Sequence, residues 1–158
     1  MNRRALTSLI AMNLFLIASA TLAGEKRAPT RVACIGDSIT FGFGIKDRKN
    51  NSYPAQLAVA LGKNWDVRNF GVNCATLLSK GNRPWIKLSA CKNAMKFVPD
   101  IVVINLGAND TKPTNIGKHP DEFVKDYLAL IKRFRALPSK PRVYICNPVE
   151  VFDFKGGI

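Results

Sequence analysis

Histidine is almost missing from this 158-residue chain: His119 stands alone, against 24 Lys+Arg and only 11 Asp+Glu. Four cysteines with neither CxxC spacing nor a histidine partner argue against a zinc site. No low-complexity tract is present, and 22% charged against 47% apolar residues excludes a disordered or collagen-like chain, because ample apolar surface offsets chain entropy. Acids are too few to balance the bases, so the net charge is +13. The basic residues are nevertheless dispersed, with short clusters only at Lys46–Lys49 and Lys132–Arg135, and no DNA- or RNA-binding motif accompanies them. A nucleic-acid partner is therefore not expected, while the charge suits an anionic substrate.

The N-terminus is a targeting pattern. Residues 1–23 carry Arg3 and Arg4, then an uncharged apolar run from Ala5 to Leu22, then small residues at Ala18, Ser19, Ala20 and Ala23. Basic, apolar and small-residue regions in that order describe a secretory signal peptide. The rival is an uncleaved membrane anchor, which needs ~20 strongly apolar residues; Thr7, Ser8, Asn13, Ser19 and Thr21 dilute this run. Cleavage would leave 135 of the 158 residues, lower the charge by two to +11, and leave no stable membrane span. Residues 24–30 then read as a polar leader and 31–158 as one domain, within the ~100–200 residues typical of one. A secreted or periplasmic location permits disulfides. Cys34 and Cys146 lie in apolar runs and read as buried thiols, whereas Cys74 and Cys91 lie in less regular segments and are available to pair.

Apolar runs at Arg31–Ile35, Trp65–Phe70, Asp100–Leu106 and Arg142–Asn147 predict four strands. Helical patterns occupy Tyr53–Leu61, the region around Lys87–Phe97, and Pro120–Leu137. In the last, Phe123, Tyr127, Leu130, Ile131 and Phe134 recur at spacings of three and four, and Asp121 and Glu122 suit the positive end of the helix dipole. Strands alternating with helices predict an α/β fold, a parallel sheet with helices on both faces. Such sheets bind ligands at the carboxyl ends of their strands.

The first three strands each end in a glycine-containing polar cluster: Gly36 to Thr40, Asn69 to Asn73, and Gly107 to Asp110. In isolation each has an ordinary reading, as a turn with Asp37 capping a helix, a turn glycine, and a loop or cap at Asn109 and Asp110. A parallel sheet brings all three to one edge. There Ser38 offers a hydroxyl nucleophile with its N–H at the positive end of a dipole, Gly71 an unshielded N–H, and Asn109 an amide donor. Three donors around a hydroxyl form an oxyanion hole for acyl transfer. That chemistry calls for no metal or organic cofactor.

These blocks resemble those of SGNH-type (GDSL-type) hydrolases. Gly36-Asp37-Ser38-Ile39-Thr40 matches the family's first block, Gly71 its second and Gly107-Ala108-Asn109-Asp110 its third, with the likeness running from Arg31 to the end of the chain. The resemblance implies a flavodoxin-like α/β/α sandwich. It also implies a serine esterase acting through an acyl-enzyme on Ser38, with Ser38 N–H, Gly71 N–H and Asn109 as oxyanion donors and Asp37 and Asp110 in support. The stretches Gly44–Arg48, Asn51–Pro54 and Lys118–Phe123 resemble secreted bacterial sialate or carbohydrate O-acetylesterases. The family also includes lysophospholipases, thioesterases and arylesterases, and a non-catalytic glycan-binding module of the same fold is the alternative from another class.

Two departures stand out. Cys74 occupies a position in the second block where a small residue is usual. More seriously, the family's Asp-x-x-His block, which supplies the general base and its orienting acid, does not occur. His119 has Ile116, not Asp, three residues before it and precedes a helix, so a loop or helix-start role is expected for it. Loss of one member of such a triad costs ~10⁴–10⁶ in rate. The expectation is an esterase domain lacking its last strand and helix, with the fourth strand at an open edge, the ending Phe152–Ile158 reading as a loop, and weak or no activity from these residues alone.

Overall fold

The computed structural model describes residues 28–147. The proposed signal peptide, most of the leader and the final residues therefore lie outside the described residues. Thr30, taken above as the end of the leader, already belongs to the first strand.

The strands are β1 (Thr30–Gly36), β2 (Trp65–Gly71), β3 (Ile101–Asn105) and β4 (Arg142–Ile145). All pair in parallel, in the order β2-β1-β3-β4. Central β1 is buried on both faces from Val32 to Ile35, which is why its sequence is a continuous apolar run rather than an alternation.

The helices are α1 (Ser38–Phe41), α2 (Arg48–Asn51), α3 (Tyr53–Leu61), α4 (Ser89–Lys96) and α5 (Phe123–Arg135). The region expected as one helix around Lys87 divides into a 3₁₀ turn at Trp85–Lys87 and α4. Likewise Pro120–Glu122 forms a 3₁₀ turn before α5. Proline cannot donate the backbone bond a longer α-helix would need inside its body, so it stands at the entrance instead.

One sheet face, through Ala33, Ile35, Val102 and Ile104, meets Cys91 and Ala94 of α4 and Leu130 and Phe134 of α5. Trp85 is fully buried in this cluster, its ring 6.3 Å from that of Phe134, and its Nε1–H donates to Phe70 O at 2.9 Å. On the opposite face the Tyr53 hydroxyl of α3 meets the Cys34 thiol of β1, which burial pushes up to about 11. β4 ends the sheet among the described residues, with Tyr144 and Ile145 each 52% exposed. The four cysteines are free thiols: Cys34 and Cys91 are buried, Cys146 half-buried and Cys74 exposed, so the allowed pairing of Cys74 with Cys91 is not formed.

The core makes a direct demand. Phe134→Ala should cost about 3–5 kcal/mol, through lost burial and the cavity left between α5 and Trp85, read as a lower urea midpoint with an unchanged slope.

Candidate active site

Gly36 pairs with Gly71 on one side and Asn105 on the other, so three strands end on one line. Ser38 follows two residues after Gly36, the turn at Val72–Ala75 follows Gly71, and Asn109 follows four residues after Asn105. The register alone therefore collects the three clusters at the carboxyl edge.

Ser38 opens α1. Asp37 caps it, its buried carboxylate accepting the Ile39 N–H at 2.9 Å. The helix is pressed onto the sheet: a Cβ at Gly36 would lie 1.9 Å from Thr40 Oγ1, and one at Gly71 2.2 Å from Phe41 N. Both glycines are thus required by close approach. Thr40 Oγ1, buried over Gly36, also lies 3.3 Å from the Tyr53 hydroxyl.

The second cluster has an internal latch. Asn69 Nδ2 donates to Thr40 O at 2.7 Å, and Asn69 Oδ1 accepts the Gly71 N–H at 2.9 Å. One amide therefore joins α1 to the end of β2, and it occupies the Gly71 N–H. Val72 N–H closes the turn on Gly36 O at 3.0 Å. Cys74 adopts the left-handed region (φ 60°), and its N–H makes no hydrogen bond among the described residues.

The third cluster grips the same turn. Asn109 Nδ2 donates to Ala75 O at 3.1 Å, which ties its amide to the turn that follows β2. Buried Asp110 accepts Leu77 N–H at 2.9 Å and Leu78 N–H at 2.8 Å. Buried Asn115 donates to Asn109 O at 2.8 Å and accepts Asn82 N–H at 2.8 Å. Asp110 and Asn115 thereby fix the loop that carries Asn109. Burial holds the carboxyls of Asp37 and Asp110 above their ordinary range; backbone N–H bonds oppose this in both, and the Asp37 charge adds to it in Asp110.

His119 is half-buried at the start of the 3₁₀ turn before α5, and its N–H donates to Ile116 O at 3.1 Å. No hydrogen bond joins it to Ser38, Asp37 or Asp110 among the described residues. An open basin of about 780 Å³ lies at the opposite, amino edge of the sheet, lined by Arg31, Asp66, Asp100 and Arg142, and contains none of the residues above. Among the described residues, no group of three or more His, Cys, Asp or Glu is placed to hold a metal ion, and no helix is long and apolar enough to cross a membrane.

Residues 34–157 match the model of the GDSL-like Lipase/Acylhydrolase family. The chain belongs to that family. This GDSL-type chain is 40% identical over 149 residues to an acetylxylan esterase of Xylanibacter ruminicola, covering 84% of the chain but 31% of the relative, so it spans about a third of that protein's length. Solved structures share the fold. A family two carbohydrate esterase from Clostridium thermocellum has TM-score 0.55 at 23% identity, over 83% of this chain and 46% of that one. AlinE4, an SGNH-hydrolase family esterase, has TM-score 0.53 at 23% identity, over 77% and 60%. Est24, a carbohydrate acetylesterase from Sinorhizobium meliloti, has TM-score 0.54 at 20% identity, over 73% and 62%.

Sequence reasoning assigned no role to Asn69 or Asn115. Asn69 had a readable signal, since an asparagine bonding the N–H two residues on is a common local motif. Asn115 had none, because its partners are distant in sequence or depend on the loop's path.

Asp110→Ala would leave two buried N–H groups unsatisfied and should destabilise the fold by about 2–5 kcal/mol, measured by urea unfolding. Because the Asp110 pKa is raised on folding, its contribution to stability is complete below about pH 3.8 and declines as pH rises through the raised value. The stability difference between the native chain and Asp110→Ala should therefore be larger at pH 4 than at pH 7; a difference that grows with pH would contradict this. Asn69→Ala should speed hydrogen exchange at the Gly71 amide by about tenfold or more, as expected for the loss of ~1.4 kcal/mol of local protection. Unchanged Gly71 exchange would refute the latch.

Proposed function

We propose that this GDSL-type chain carries the nucleophile and oxyanion half of a serine esterase that removes O-acetyl groups from carbohydrate. The observation that carries the reading is the common strand-end register of Gly36, Gly71 and Asn105, which gathers Ser38, the Val72–Ala75 turn and Asn109. The acetyl-sugar substrate is inferred from the acetylxylan esterase relative.

Ser38 Oγ attacks the acetyl carbonyl carbon and its proton passes to a general base. The resulting oxyanion is held by the Ser38 N–H, the Asn109 amide and a backbone N–H of the second turn. Gly71 N–H serves once Asn69 releases it; Cys74 N–H, in the same turn, makes no hydrogen bond among the described residues. Collapse expels the sugar hydroxyl, and water then releases acetate from the acyl-serine. The base is the weak point, since His119, the one histidine, makes no hydrogen bond to Ser38 among the described residues. These residues by themselves are therefore slow. The net charge of +13 favours acidic glycans over neutral ones, and the pattern of residues 1–23 supports action outside the cytoplasm.

Acetate release from acetylated xylan is the test, with added imidazole as a diffusible base. The native chain should respond to imidazole, whereas Ser38→Ala should lose at least about 10²-fold of that rate; Asn109→Ala should lose about 10²–10³-fold. Equal rates for the native chain and Ser38→Ala would reject the esterase reading, and retained oligosaccharide binding in that case would favour the binding-module alternative.

A further inference from the structure

Beside the nucleophile lies an exposed apolar patch that the chemistry above does not use. Phe43 is 73% exposed, and Ile39 and Ile45, before and after it in the same turn-forming stretch of the chain, are 42% and 41% exposed. Exposed apolar residues are common singly, but a phenylalanine held this far out of a tightly bonded turn is not. Phe43 N–H donates to Ser38 O at 2.9 Å, which keeps its backbone within roughly one helical pitch (~5.4 Å) of the nucleophile. Gly42 N–H donates to Ser38 O at 3.0 Å and Ile39 O at 3.2 Å, and Ile45 N–H returns to Gly42 O at 3.2 Å. The turn is braced from outside as well: the Arg48 guanidinium stacks 3.9 Å over the Phe41 ring and donates to Phe41 O at 3.3 Å. Phe41 is thus held in place while Phe43, two residues on, is turned out to solvent.

We propose that Phe43 is a platform on which one sugar ring of the glycan stacks while its acetyl group lies at Ser38. This rests on the carbohydrate-ester reading above. The occupant follows from the geometry of the patch. A long acyl chain needs an enclosed apolar pocket, whereas the Phe43 side chain is largely exposed to solvent. A protein partner needs an interface of about 1,000 Å² or more, which three apolar side chains do not supply. A sugar ring has an apolar C–H face and a rim of hydroxyls, so it covers an aromatic surface on one side and keeps its hydroxyls in water. Pre-organisation of the turn lowers the ordering cost of that contact.

The test uses the full chain and xylohexaose, which carries no ester, followed by calorimetric titration and amide chemical shifts. The native chain should bind, with shifts centred on residues 38–45. Phe43→Ala should weaken binding about tenfold or more. Phe43→Trp should bind at least as tightly, and Phe43→Leu, which keeps apolar bulk without a planar face, should fall close to the alanine variant. Exposure of the side chain predicts an unchanged Tm for all three, and the tryptophan and leucine variants keep the comparison meaningful should alanine perturb the turn. No binding by the native chain, equal affinity in Phe43→Ala, or native affinity in Phe43→Leu would overturn the platform. Because no ester is cleaved, the outcome is separable from the esterase reading: Phe43-dependent binding beside Ser38-independent acetate release would uphold the platform and reject the chemistry.

Discussion

The helix that carries Ser38 rests directly on two backbone positions that lack a Cβ. Gly36 leaves room for the Thr40 hydroxyl, and Gly71 for the backbone at Thr40 and Phe41. Because Gly36 and Gly71 are register partners, the helix sits across the seam between β1 and β2, at the place where both strands end. Any side chain at either position would lift the helix and with it the serine. The geometry of the edge follows from this contact: the Asp37 cap directs the first-turn N–H groups, the Asn69 amide joins Thr40 O to Gly71 N–H, and Val72 N–H closes on Gly36 O.

The other side of the edge is built on buried polar groups rather than on close packing. Asp110 and Asn115 are each almost fully buried; Asp110 accepts the Leu77 and Leu78 N–H groups, while Asn115 accepts the Asn82 N–H and donates to Asn109 O. A buried carboxylate that accepts two N–H groups is costly to disturb, since its removal strands both donors. The loop bearing Asn109 is thereby fixed to the turn bearing Cys74, through the Asn109 bond to Ala75 O. Ser38 and Asn109 are held by two independent devices, a glycine seam and a carboxylate clamp, that meet in the segment between β2 and α4.

Much of this was legible in the residues. The strands were evident because their apolar runs are short and bounded by polar clusters, and the alternation with helices gave the parallel sheet. The pattern at Tyr53–Leu61 matches α3 to the residue, while α2 leaves no signal because Arg48–Asn51 is a polar, four-residue turn without periodicity. Ser38, Gly71 and Asn109 stand out in the sequence through their position after strands. What did not show was how donors are spent. No pattern reveals that Asn69 occupies the Gly71 N–H or that Cys74 holds a positive φ, since both depend on how the turn closes. Asp110 reads from the resemblance as a supporting residue, but its bonds to Leu77 and Leu78 span more than thirty residues and exist only once the sheet is formed.

The account places one reactive hydroxyl at this edge, and covalent trapping tests it most directly. After incubation of the full chain with an excess of a fluorophosphonate and with imidazole as the diffusible base, peptide mass spectrometry should find a single phosphonyl adduct, on Ser38, absent from Ser38→Ala. An adduct elsewhere, or the same labelling in the alanine variant, would contradict Ser38 as the nucleophile.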